Sequence, residues 1–240
     1  MPGEAPKNTL RLRYTFNSEI EKDGTLLAME NPEVAKITFN GESIENDVVS
    51  WYVDKSLKTV KLKTVRKGEN VLLLEIPYGE KTAAECVYIL GEFGVRVEGT
   101  HCTVTELPEK LCFGNITAQG FPFYSGKLTY SFETETEAGT LDIRVPQFRA
   151  STLRVHCNGE SKPVALSPYK ASFDVEKGIQ KISIDAYIPR TNGFGPLHCA
   201  DEKYPFQGPA AWRTVGDRWC YEYKLLPEGV ITSPVIICNH

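Results

Sequence analysis

The residues richest in chemistry lie between 190 and 219: Arg190-Thr-Asn192-Gly-Phe-Gly-Pro-Leu-His198, then Asp201-Glu202, Trp212-Arg213 and Arg218-Trp219. Forked or planar polar groups such as Arg, Asn and His match pairs of hydroxyls, and an aromatic face covers the C–H face of a sugar ring. A loop this long inside a compact domain is commonly functional or a lid. Arg190, Asn192, His198, Trp212, Arg213 and Trp219 are therefore the candidate carbohydrate-binding residues of this loop. The plainer reading is that Arg190, Asn192 and His198 bond loop carbonyls while the tryptophans plug the end of a β-structure.

A second aromatic stretch sits near the middle of the chain, Gly120-Phe-Pro-Phe-Tyr-Ser-Gly126, and runs into the alternating segment Leu128–Phe132. Its glycines supply backbone freedom at turns, and Pro122 removes a donor that a central strand would need. Phe121, Phe123 and Tyr124 are too close in sequence to enter one small core together. Phe123 and Tyr124 join the candidate set as rings for a sugar. The competing reading makes the stretch a packing wedge.

Catalytic patterns are sparse. The chain has no Gly-x-Ser-x-Gly elbow, Walker loop, Gly-x-Gly-x-x-Gly or His-Glu-x-x-His. Asp201, Glu202, Asp217 and Glu222 lie in or beside the loop, but hydrolysis of a glycoside needs two carboxylates at a set separation that sequence alone does not place. His198 beside Tyr204 or Tyr223 is the arrangement closest to lyase-type proton abstraction. His101-Cys102, His156-Cys157 and His198-Cys199 suggest zinc, yet neighbours on a strand point to opposite faces and rarely share a metal. Asp201-Glu202 lacks EF-hand-like spacing for calcium. No cofactor is expected.

The elements that position these residues read as strands. Leu10–Phe16, Val34–Phe39, Val60–Leu62, Leu141–Val145, Thr152–Cys157 and Lys181–Tyr187 alternate or run apolar, and Asn40-Gly41 and Asn158-Gly159 are strong hairpin signals. Val71–Ile76 is dense enough to suggest a strand covered on both faces. Fifteen prolines and nineteen glycines punctuate these runs. The pattern repeats: strand, Asn-Gly, Asp54, Lys67-Gly68 and an apolar strand, then strand, Asn-Gly, Asp174, Lys177-Gly178 and an apolar strand. The expectation is an all-β chain with two tandem antiparallel β-sandwich domains, residues 8–98 and 99–240, the second carrying the loop 190–219.

Composition narrows the partners. A net charge of −4 with scattered basic residues gives no footprint for nucleic acid or an anionic membrane. No apolar run reaches the roughly 20 residues that span a bilayer. Seven cysteines without Cys-x-x-Cys read as reduced, buried thiols, which points to the cytoplasm. An N-terminal leader removed ahead of Met1 would make the protein secreted instead.

The motifs Gly120-Phe-Pro-Phe-Tyr124-Ser-Gly126…Tyr130, Asn158-Gly159, Asp174, Gly178 and Arg190-Thr-Asn192…Gly195-Pro196-Leu-His198 resemble galactose-binding-like jelly-roll domains. These accompany large glycoside hydrolases of the α-L-rhamnosidase and β-galactosidase types. Asn40-Gly41, Trp51, Asp54, Lys67-Gly68-Glu-Asn70 and Tyr88–Gly94 look like a companion domain. The resemblance implies a non-catalytic carbohydrate-binding or substrate-positioning portion of a multidomain enzyme whose catalytic domain is absent from this chain. The alternative is a pair of purely structural domains docking on that missing domain or on another partner.

Overall fold

The computed structural model describes residues 6–80, 82, 86–200 and 216–239. Strands dominate it, arranged in several antiparallel sheets, and the chain divides into two compact units. Unit one comprises Met1–Arg96 and His101–Leu107; unit two comprises Val97–Thr100 and Pro108–His240. The hairpin that ends with His101–Thr105 thus returns the chain to unit one before it leaves for unit two.

Unit one holds β1 (Asn8–Ser18), β2 (Leu26–Glu30), β3 (Lys36–Phe39), β4 (Glu42–Ile44), β5 (Val48–Tyr52), β6 (Asp54–Lys61), β7 (Gly68–Tyr78), β8 (Tyr88–Leu90), β9 (Gly94–Glu98) and β10 (His101–Thr105). One sheet has the order β4-β3-β7-β1-β10-β9 and the other β5-β6-β2-β8. β10 runs parallel to β1. The inward residues of both sheets, among them Leu27, Ile37, Phe39, Val60, Leu72 and Leu74, share one core. β7 is not covered on both faces: Leu73 is 39% exposed while its neighbours Leu72 and Leu74 are buried. The dense apolar run is a half-buried strand whose outer face happens to carry a leucine.

Unit two holds β11 (Gly126–Thr136), β12 (Gly139–Arg144), β13 (Phe148–Arg149), β14 (Thr152–Cys157), β15 (Glu160–Val164), β16 (Lys170–Val175), β17 (Gly178–Ile188), β18 (Gly229–Val230) and β19 (Val235–Asn239). Its sheets are β11-β17-β14-β15, β16-β12-β19 and the short β13-β18. Leu141, Ile143, Leu153, Val155, Phe173, Ile182 and Ile184 form its core. The outward face of β14 carries Thr152, Arg154 and His156, and that of β17 mixes Lys181, Ser183 and Asp185 with the exposed Ile179 and Tyr187. His156 Nε2 lies 3.1 Å from Asp185, while the next residue, Cys157, is buried in the core. That alternation separates His156 from Cys157, as strand geometry requires.

The pairing in unit two repeats that in unit one. β1 pairs β7 along eleven residues, and β11 pairs β17 along eleven. β3 lies between β4 and β7, as β14 lies between β15 and β17. β2 is flanked by β6 and β8, as β12 is by β16 and β19. Both Asn-Gly pairs form two-residue hairpin turns with positive φ at each position, 51° and 84° for Asn40-Gly41, 49° and 94° for Asn158-Gly159.

Each turn asparagine also clamps the strand beside it. Asn40 Oδ1 accepts from the Val71 N–H and its Nδ2 donates to Asn70, whose own amide donates to the carbonyls of Arg66 and Gly68. Asn158 Oδ1 accepts from the Lys181 N–H and its Nδ2 donates to Gln180, whose amide donates to the carbonyls of Glu176 and Gly178. Asn70 and Gln180 therefore occupy matching places. Asp54 and Asp174 do not: Asp54 opens β6, whereas Asp174 sits beside the last residue of β16. The aspartate match in the sequence pattern was coincidence.

None of the seven cysteines is in a disulfide, and only Cys157 is buried; Cys86 and Cys112 are exposed and the rest half-buried. The expectation of uniformly buried thiols fails because most of these cysteines sit at strand ends and in loops. Among the described residues, no helix is long and apolar enough to cross a membrane.

Candidate functional site

The described parts of the 190–219 region are built on backbone hydrogen bonds between loops. A single turn of helix, α1 (Thr191–Phe194), opens the first segment. Gly195 ends it by donating to the Thr191 carbonyl at 2.9 Å, and a Cβ placed there would lie 2.1 Å from that same oxygen, so only glycine fits. A Cβ on Gly193 would stand 3.0 Å from Ser125 Oγ and 3.3 Å from the Phe123 carbonyl. Glycine there brings the helix turn directly against the central aromatic stretch.

The second segment runs back alongside the first. Ala200 donates to the Arg218 carbonyl, Cys220 to the His198 carbonyl, and Lys224 to the Leu197 carbonyl. Cys199 and Trp219 form an antiparallel bridge. The Tyr223 N–H donates to the Gly99 carbonyl at 3.0 Å. This short ladder fixes Trp219, Tyr221 and Tyr223, spaced by two, beside His198.

The product is a row of rings. Phe123 lies 5.8 Å from Tyr223, Tyr223 lies 4.8 Å from His198, His198 lies 5.5 Å from Trp219, and Trp219 meets Tyr221 edge-on at 4.4 Å. His198 Nδ1 is 3.2 Å from the Glu222 carbonyl, which can only accept, so this nitrogen carries a hydrogen. The Cys220 thiol donates to the same carbonyl. Tyr221 is 77% exposed, and the other rings of the row are half-buried. Half-buried rings ending in an exposed one form a surface that can take a flat, partly apolar ligand face.

Of the eight residues expected from sequence, Phe123, His198 and Trp219 come together in this row. Tyr124 does not join them. Its ring packs edge-on against Phe121 at 5.6 Å and against the core of its unit, and its hydroxyl donates to the Lys127 carbonyl at 2.8 Å. Burial raises its pKa above the ordinary tyrosine value. Asn192 is 1% exposed and spends both ends of its amide on Leu226: Nδ2 donates to the Leu226 carbonyl and Oδ1 accepts from the Leu226 N–H. It holds the loop rather than presenting polar atoms to a ligand. Arg190 is exposed at the start of α1 and contributes its carbonyl to that turn. Trp212 and Arg213, like Asp201, Glu202 and Tyr204, lie outside the described residues.

Three residues were missing from the expected binding set, Tyr223 among them although it was weighed beside His198 for proton abstraction. Tyr221 and Tyr223 complete the row, and the signal was present as Trp219-x-Tyr221-x-Tyr223, a period of two that puts side chains on one face of an extended segment. The third is Glu228, 2% exposed, with neither carboxyl oxygen hydrogen-bonded among the described residues. Burial pushes its pKa up to about 7; the Asn192 N–H groups pull the other way without reaching hydrogen-bond geometry. Its backbone is held firmly, the N–H by Asn115 Oδ1 and the carbonyl by the Ile116 N–H. Nothing in Pro227-Glu228-Gly229 announces burial, because the loop and strand contacts that enclose it come from residues 115–116 and 192.

Among the described residues no group of three or more His, Cys, Asp or Glu side chains is placed to hold a metal ion. No family model matches the chain, and no match is found among curated proteins.

Proposed function

We propose that the chain is a carbohydrate-binding, non-catalytic portion of a multidomain glycoside hydrolase, made of two tandem jelly-roll domains of the galactose-binding-like type. One observation carries the binding half: the row Phe123–Tyr223–His198–Trp219–Tyr221, which ends in an exposed ring. A sugar's C–H face lies on the outer rings, and the free edge of His198 takes a hydroxyl. The repeated pairing of the two units and their matching asparagine clamps support the tandem arrangement. Seven cysteines outside any disulfide favour a reducing, cytoplasmic setting.

The test is a glycan array followed by calorimetry on the best binder, with Trp219→Ala and Tyr221→Ala. Each variant should weaken binding about tenfold, on the order of 1.4 kcal/mol. Glycans that bind all three proteins equally would remove the row from the site.

A second reading has its own support. β5 presents Val48, Val49 and Trp51 as exposed apolar side chains on one strand of unit one. Such a strand favours a domain that docks on a missing catalytic domain. A chain that binds no glycan on the array, yet associates with that catalytic domain and loses the association on Trp51→Ser, would select this reading.

A further inference from the structure

Unit two contains a cleft of about 420 Å³ whose lining includes Arg149, Ser151, Pro189, Thr191, Leu226 and Glu228. Two of these residues are electrically incomplete. Glu228 is almost fully enclosed, and neither of its carboxyl oxygens has a hydrogen-bond partner among the described residues. Burying a carboxyl without partners costs several kcal/mol, so native proteins rarely tolerate it without a use. Arg149 is exposed at the same cleft and makes no ion pair among the described residues. It stands opposite Gly229 in the β13–β18 pairing, one residue along from Glu228, and yet the two charges do not pair with each other.

From this juxtaposition we infer that the cleft binds a small zwitterion of the amino-acid class, its ammonium group on Glu228 and its carboxylate on Arg149. Simpler ligands leave the cleft unbalanced. A lone amine would satisfy Glu228 but meet the like charge of Arg149. A lone carboxylate would do the reverse. A neutral polyol would fill the lone pairs of Glu228 and leave the guanidinium with nothing to neutralise. A zwitterion completes both poles, and its side chain lies along Pro189 and Leu226 with Ser151 and Thr191 at the polar edge.

The volume is within the range of small-molecule sites. Leu226 is a fixed wall, since Asn192 grips its N–H and its carbonyl together. The oxygens of Glu228 are closed from water, so binding in this way requires its side chain to turn the carboxyl into the cleft as the ligand arrives. The acid gives its proton to the buffer in that step, and the ligand's ammonium N–H groups then donate to the carboxylate. Burial keeps this acid largely neutral until about pH 7, so binding is linked to proton release below that pH. None of the aromatic row takes part, so the proposal stands or falls separately from glycan binding.

The experiment is titration calorimetry of the full chain with glycine and L-leucine at pH 6 and pH 8, each in two buffers of different ionisation enthalpy. Leucinamide and 4-methylpentanoate serve as analogues with one charge each. L-leucine should bind about tenfold more tightly at pH 8 than at pH 6, releasing protons at pH 6. Each half-charged analogue should bind at least tenfold more weakly than L-leucine, and so should L-leucine to Glu228→Gln and to Arg149→Gln. The pH dependence and proton release of the unmodified chain report on Glu228 without any variant, so a folding defect in Glu228→Gln leaves the test intact. Absence of binding by both amino acids at 10 mM, on the order of −2.7 kcal/mol, overturns the proposal. Equal affinity for L-leucine and its half-charged analogues, or affinity that ignores pH between 6 and 8, overturns it as well.

Discussion

At the scale of single residues, Glu228 contributes a loss of stability as pH rises. Its carboxyl titrates near 7 in the folded chain and near 4.3 when unfolded, because burial disfavours the charge. A raised value means that the folded state holds its proton longer than the unfolded state does. The stability is therefore whole below about pH 4.3, falls as pH climbs toward 7, and stays reduced above it, by on the order of 3 kcal/mol. Glu228→Gln keeps the shape and removes the titration. Urea unfolding at pH 4.5 and pH 8 should show the wild type losing stability between the two and the variant changing far less from this group. A wild type equally stable at both pH values after correction by Glu228→Gln would show that the carboxyl is hydrated in the folded chain. The sequence hid this residue because its burial is made by residues far along the chain, Asn115, Ile116 and Asn192. The row was half legible for a related reason: Phe123, His198 and Trp219 stood out as ring types, whereas the placement of Tyr223 against both Phe123 and His198 depends on a loop ladder that no local pattern encodes.

At the scale of elements, turn chemistry was the most readable part of the chain. Asn40-Gly41 and Asn158-Gly159 turn where their sequence says, since both residues accept positive φ. What those asparagines do next was not readable, because their partners differ in type, Asn70 in one unit and Gln180 in the other. The partnership is a matter of register, and Asp54 and Asp174 mimicked a match that register does not support. The turn between β5 and β6 breaks the rules instead of following them. Val53 has φ of 63°, a conformation that a β-branched residue adopts only under strain. Val53→Asn or Val53→Gly should raise stability by about 1 kcal/mol, from the usual cost of a left-handed residue. Chemical denaturation measures it directly, and a destabilised Val53→Gly would mean that the valine side chain contributes more by packing than its backbone costs. The clamps give a sterner test of the same logic. Asn158→Ala removes an acceptor for the Lys181 N–H and strands the Gln180 amide oxygen, so it should cost on the order of 1–3 kcal/mol. Asn40→Ala should cost a similar amount in unit one, since Val71 and Asn70 lose the same two bonds.

At the scale of the whole molecule, the decisive physical fact is that the described residues form two cores and not one. Leu27, Ile37, Phe39, Leu72 and Leu74 pack together in unit one, and Leu141, Ile143, Leu153, Phe173 and Ile184 pack together in unit two. A side chain removed from a core costs its transfer energy plus the cavity left behind, typically 2–5 kcal/mol for leucine or isoleucine to alanine. Such a cost is felt first by the amides that open together with that core. Leu74→Ala should therefore speed hydrogen exchange in β3 and β7 by two to three decades while β14 and β17 keep their protection. Ile184→Ala should do the converse. Both side chains are completely buried on corresponding central strands, so the two variants are matched in severity. Exchange that accelerates in both units from either substitution would mean one cooperative body, and the repeated pairing would then describe a single folding unit. If protection is lost only in the substituted unit, each copy of the pattern folds on its own apolar face. The loops of unit two are then free to vary around a scaffold that does not depend on them, which is the condition under which a ring surface and a charged cleft can be carried at its margin.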